Sequence, residues 1–335
     1  MKQFRIFLLL AGVLLFLSLV HSVGIEKLWA QIRTIGWGLW IILGFYGVIF
    51  ALDTWGWHFS FPKNITRSFR WRSLFGSRLA GEAINYVTPF AALGGEPVKA
   101  QILKNRHDVS WSDGLASLFV AKMSFVIGLA GLILSGLGVV LWNSPLSQQL
   151  KLATLGMALF FTLLISLFFY LQQGGLANRS WLTLKKWIPL SWIEKTSLFA
   201  ARRLDQSLTG FYKNNRKRFF LSILFHFVGW ALGIVEVYLI MTFLHVEISW
   251  GQAWILESLL QLVKALSFLI PAALGTQEGG ALLLCTGLGL GSASGLALAL
   301  VRRFRELVWT AIGLLLWAWL TKPKKGGGKW ASPLR

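Results

Sequence analysis

The chain has 335 residues, 55% of them hydrophobic, and a mean hydropathy of +0.62. Charged residues make up 14%, against about 25% in soluble domains, which excludes an ordinary globular protein in water. A net charge of +20 would suggest a nucleic-acid partner, but the bases cluster in alternate loops between apolar runs, so membrane topology and anionic headgroups account for them.

Lys2 and Arg5 precede "FRIFLLLAGVLLFLSLV". This run is long for a signal-peptide core and no A-x-A-like site follows, which predicts a retained first span. The next run is "GWGLWIILGFYGVIFAL", with Asp53 directly after it. Further along come "GLASLFVAKMSFVIGLAGLILSGLGVVLW", "LATLGMALFFTLLISLFFYL", "FFLSILFHFVGWALGIVEVYLIMTFL" and "LALALVRRFRELVWTAIGLLLWAWL". Each comes near or exceeds the roughly 18–20 residues that cross a bilayer as a helix. Two other apolar segments, near 73–110 and 252–291, are broken by Pro, Gly and Glu. The expected fold is an all-α polytopic membrane protein with about six full spans and two re-entrant broken-helix hairpins.

The charge pattern orients these spans. Lys63, Arg67, Arg70, Arg72 and Arg78, then Lys99, Lys104 and Arg106, the loop 173–218 and the tail 321–335 are basic. The intervening loops hold only Lys27, Arg33 and Lys151. Basic loops stay cytoplasmic, so both termini are expected inside, in the inner (plasma) membrane of a bacterium. Within 173–218, Ile193, Ala200, Leu204, Leu208 and Phe211 recur at helical spacing opposite Arg202 and Arg203. This pattern predicts an amphipathic helix lying at the headgroups.

Residues 89–96 read "PFAALGGE" and residues 271–278 read "PAALGTQE". Downstream, "GLASLFVAK" (114–122) answers "GLALALVRR" (295–303); upstream, Asp53 and Glu236 stand at nearly equal distances. The charge pattern opens the first broken segment to the cytoplasm and the second to the opposite side. The expectation is an inverted-topology repeat, 35–142 and 219–320, the architecture of many secondary transporters. Pro89 and Pro271 end or kink a helix, while Gly94, Gly95 and Gly275 allow a turn. Glu96 and Glu278 then fall in a first helical turn, where they complement the dipole or carry a coupling proton.

The stretches "GEAINYVTPFAALGGEPVKAQILK" and "PAALGTQEGGALLLCTGLGLGSASGLALALVRR" resemble the lysylphosphatidylglycerol synthase transmembrane region, also called the flippase-like domain family. The resemblance covers roughly residues 5–320 and implies movement of a lipid between leaflets. It marks Gly95, Glu96 and Lys99 as one motif and Gly275 with Glu278 as another. Where the family often carries Glu-Arg and then Asp, this chain reads "AKMSFVIG", leaving only Lys122. The soluble synthase domain of fusion members is absent from this sequence, so the family's lipid substrate is not carried over.

Ionisable residues in hydrocarbon mark function or pairing. Asp53, Glu82, Glu236 and Glu257 are the intramembrane acids; Lys122, Arg303, Arg302, Lys99 and Lys264 are the candidate headgroup-binding bases. Lys122 and Arg303 are foremost, since they occupy matching positions of the repeat. Glu306 pairs with Arg302 or Arg303 at i, i+4 or i+3 spacing. "GSASG" (291–295) reads as helix packing, and the scattered His107, His226 and His245 suggest no metal set. The favoured reading is a lipid translocase without cofactor, not driven by ATP because no phosphate-binding loop is present. Its partner is an anionic or phosphate-bearing membrane lipid, and a lipid-synthesis enzyme is a further candidate partner. The alternatives are a membrane transferase acting on a lipid-linked substrate and a non-transporting partner of a lipid-synthesis enzyme.

Overall fold

The computed structural model describes Glu26 and residues 33–66, 70–88, 94–143, 147–173, 194–267, 273 and 275–322. Among these, regular structure is entirely helical. In chain order the helices are α1 (Gly38–Phe59), α2 (Lys63–Thr66), α3 (Trp71–Val87), α4 (Gly95–His107), α5 (Trp111–Asn143) and α6 (Gln148–Gln173). They continue with α7 (Glu194–Asn214), α8 (Arg216–Phe243), α9 (Trp250–Leu266), α10 (Thr276–Gly287) and α11 (Ser292–Leu320). The first apolar run, Pro89, Pro271 and residues 323–335 of the tail lie outside the described residues.

Among the described residues, three helices are long and apolar enough to cross a membrane: α1, α5 as far as Trp142, and α8, with mean hydropathies of 1.6, 2.3 and 2.0. The 29-residue α11 is also long enough, but Arg302, Arg303, Arg305 and Glu306 interrupt its apolar character. Large apolar side chains such as Leu163, Leu315 and Trp319 point outward, as lipid-facing residues do. The main core joins α1, α5, α8, α9, α10 and α11 through residues such as Ile42, Ile133, Val140, Val237, Ile240, Leu256 and Leu298.

The broken segments form two short-helix pairs, α3 with α4 and α9 with α10. Thr88 ends α3, its hydroxyl donating to the Ile84 carbonyl at 2.8 Å. At the start of α4, Asn85 Oδ1 accepts from the Gly95 N–H at 2.7 Å, and a Cβ on Gly95 would run into the Gly81 carbonyl. Gly94 occupies the N-cap position. The second pair turns differently. Gly275 takes φ +78°, a region open to glycine at little cost, and its N–H donates to Glu278 Oε2 at 2.8 Å. Glu278 therefore caps its own helix, while the first pair uses Asn85 from the opposite limb.

Each pair leans on a long helix from the other part of the chain. Helix α3 runs antiparallel to α11: Gly76 faces Leu320, Leu79 and Ala83 face Gly313, and Tyr86 bonds Glu306. Helix α9 runs antiparallel to α5: Gly251 faces Val139, Trp254 bonds Ser135, and Ser258 bonds the Leu132 carbonyl.

Helix α7 falls where the amphipathic pattern predicts, but its apolar edge meets protein. Leu208 and Phe211 are buried with Ala116 and Val120 of α5, and Ser207 donates to Asp113 at 3.0 Å. Ile193 and the side chains of Ala200 and Arg202 lie outside the described residues.

Candidate functional site

Between α1, α3, α5, α8, α9 and α11 lies a cavity of about 490 Å³. Its walls mix charged and aromatic groups: Asp53, Arg78, Glu82, Lys122, Glu236, Glu257, Lys264, Arg305 and Glu306 beside Tyr46, Phe50, Tyr86, Phe125, Trp230 and Trp309. An isolated charge at mid-bilayer costs roughly 2.5–3.5 kcal/mol on insertion scales, so pairing decides whether these helices are stable in lipid.

The acids are all paired. Asp53 meets Arg78 at 3.1 Å and His226 at 2.8 Å. Glu82 and Glu96 share the buried Lys99 ammonium, at 2.7 and 3.0 Å. Glu236 binds Arg305, and Glu257 binds Arg302. Glu278 takes Arg303 at 2.6 Å. Glu306 collects Lys264 at 2.7 Å, Arg303 at 3.3 Å and the Tyr86 hydroxyl at 3.1 Å. Gln261 donates to Glu257 at 2.8 Å, and the Arg305 guanidinium lies 3.7 Å from the centre of the Tyr46 ring.

Among the bases of this set, Lys122 differs. It lines the cavity, with its Nζ 5.9 Å from the centre of the Phe125 ring, and it forms no hydrogen bond or ion pair among the described residues. The buried Nε atoms of Arg78 and Arg305, both cavity-lining residues, also lack partners. Counting Asp53, Glu82, Glu96, Glu236, Glu257, Glu278 and Glu306 against Arg78, Lys99, Lys122, Lys264, Arg302, Arg303 and Arg305, the acids and bases are equal in number. With His226 neutral the set carries no net charge, and Lys122 is the member whose charge is balanced only at a distance.

The residues singled out from the sequence separate into two groups. Asp53, Glu82, Glu236, Glu257, Lys122 and Lys264 line the cavity. Lys99, Glu96, Glu278, Arg302 and Arg303 stand behind its walls in ion pairs. Glu306 pairs with Arg303 as expected, but Arg302 turns away from it to Glu257 and, at 3.6 Å, to Glu236. A helix places residues 302 and 306 on one face, yet α9 and α8 present carboxylates closer to Arg302 than its own helix does. Glycine 295 of "GSASG" packs against the Ala281 backbone, close enough that a Cβ would clash.

The sequence places Arg78 among the loop bases, His226 among isolated histidines and Arg305 only among the charges of an apolar run, and it gives Tyr46 no signal. Arg78 looks like the last of a run of loop bases, although its spacing from Glu82, i to i+4, is that of one helix face. His226 has no local signal, because its partner Asp53 is 173 positions away.

A family model described as the lysylphosphatidylglycerol synthase TM region matches residues 5–313. A UPF0104 membrane protein from Methanothermobacter thermautotrophicus is 26% identical over 245 residues, covering 69% of this chain and 70% of that relative. No solved structure matches the chain.

Proposed function

The chain belongs to the lysylphosphatidylglycerol synthase transmembrane-region family, and from that premise we propose that it is a lipid translocase. The polar headgroup of an anionic or phosphate-bearing lipid enters the cavity while its acyl chains stay in the bilayer. The observation that carries this reading is Lys122, a cavity-lining ammonium without a carboxylate partner in a surround where every acid is already paired. Keeping such a charge in hydrocarbon is unfavourable unless a ligand anion completes it. In this reading the two short-helix pairs are re-entrant hairpins opening to opposite faces. The exchange of partners, α3 with α11 and α9 with α5, supports that symmetry, and rocking of one half against the other would expose the cavity to each side in turn.

The test uses phosphatidylcholine vesicles carrying the reconstituted full chain and a trace of acyl-labelled phosphatidylglycerol, with dithionite quenching to report the outer leaflet. The label should cross faster than in protein-free vesicles, and Lys122→Ala should slow it about tenfold, equivalent to about 1.4 kcal/mol on the barrier. Equal rates with and without protein, for anionic and zwitterionic labels alike, would overturn the proposal. Chemical turnover of a lipid would point instead to a transferase.

A further inference from the structure

At one wall of the cavity a single carboxylate serves two partners of different kinds. Asp53 of α1 faces the Arg78 guanidinium of α3 through Oδ2 and the His226 imidazole of α8 through Oδ1. Arg78 is charged at every physiological pH, whereas an imidazole changes charge near neutrality. His226 is completely buried, and its Nε2 has no partner. The ring is held by the edge-to-face Phe125 of α5, 5.4 Å away between centres, and by Gly56 of α1, where a Cβ would come within 2.6 Å of Nε2. The charged groups facing it are Asp53 from α1, with Arg78 and Glu82 from α3; on α5, Lys122 lies over the ring of the same Phe125. Asp53 and Arg78 line the cavity; His226 does not.

We propose that Asp53 and His226 form a proton-binding site whose occupancy releases Arg78 to an anion in the cavity, so that the anion and a proton are carried together. The proton comes from cavity water through Asp53 and is held between Asp53 and His226, whose atoms already meet at 2.8 Å. Before uptake the three residues are neutral overall, and Asp53 satisfies Arg78. After uptake they carry one positive charge. The negative charge of Asp53 is then matched by its histidine or removed, and Arg78, whose Nε is already unpartnered, turns to the ligand beside Lys122. Charge balance gives the reason for coupling: the surrounding acids and bases already cancel, so an anion entering alone leaves the site at −1. Anion plus proton leaves it neutral, which is the cheaper load to carry across hydrocarbon.

This inference rests on the translocase reading for its ligand, but the proton site can be tested without transport. Calorimetric titration of the detergent-solubilised full chain with dioctanoyl phosphatidylglycerol, in two buffers of different ionisation enthalpy, counts protons taken up on binding. Uptake of about one proton is expected, with affinity weakening about tenfold per pH unit above the midpoint, and His226→Gln or Asp53→Asn should remove the pH dependence. Binding with no proton uptake would overturn the coupling while sparing the translocase reading. If the lipid does not bind at all, the translocase reading falls, and nitrogen NMR of the ligand-free chain decides the proton site. The histidine signal lost in His226→Gln should shift with pH in the folded chain; a signal unchanged at every pH at which the chain stays folded would overturn the site.

Discussion

Residues 121–125 of α5 read Ala-Lys-Met-Ser-Phe, and residues 302–306 of α11 read Arg-Arg-Phe-Arg-Glu. The two pentapeptides follow their respective octets at nearly the same distance, yet their charges are used differently. In α11 every charge is engaged: Arg302 with Glu257, Arg303 with Glu278 and Glu306, Arg305 with Glu236, and Glu306 also with Lys264. In α5 Lys122 lies over the Phe125 ring and forms no ion pair among the described residues. Buried ions whose partners are protein groups hold helices together; Lys122 is only half-buried, lines the cavity and has no such partner among the described residues. Similar stretches of one chain can thus hold a network of ion pairs on one side and a lysine without one on the other.

The contrast can be broken in order of expected effect. Arg303→Ala strips partners from both Glu278 and Glu306, and removing one member of a buried pair costs about 3–5 kcal/mol. Thermal unfolding in detergent should show a large fall in Tm. If Arg303→Ala is as stable as the parent, α11 is not the strut described. Next come the two turn acids. Glu278 accepts from Arg303 and from the Gly275 N–H, so Glu278→Gln should cost about 1–3 kcal/mol. Glu96 shares Lys99 with Glu82, and Glu96→Gln should cost less than about 1 kcal/mol because Lys99 keeps a partner. Equal losses in the two variants would erase the asymmetry. The smallest change in stability belongs to Lys122→Ala, within about 0.5 kcal/mol, since no pair is lost. Val126→Glu would sharpen the case. Val126 lines the cavity one turn beyond Lys122, and a carboxylate there supplies the absent partner at i, i+4. Lipid movement should then fall as far as in Lys122→Ala, as vesicle assays would read directly.

What could be read from the sequence was local or periodic. Apolar length located α1, α5 and α8, and the clusters of Gly, Pro and Glu located the breaks between Val87 and Gly95 and between Leu266 and Thr276. Intramembrane acids could be singled out because charge in hydrocarbon is conspicuous. Their partners could not. Asp53 with His226, Glu236 with Arg305 and Glu257 with Arg302 join residues 173, 69 and 45 positions apart, and spacing within one helix says nothing about a neighbour contributed by another. For the same reason Lys122 and Arg303 looked equivalent. Only the carboxylates brought in by α10 and by the next turn of α11 separate them.

The crossed packing of the short-helix pairs has a consequence for biogenesis. Helix α3 is made early, but the long helix it rests on, α11, emerges from the ribosome much later. Arg78 and Glu82 can pair early, with Asp53 of α1 and Lys99 of α4, but the Gly76, Leu79 and Ala83 face and the Tyr86 hydroxyl lack their partners until α11 is made. Interrupting translation before α11 should leave a first half that the cell recognises as unfinished and degrades.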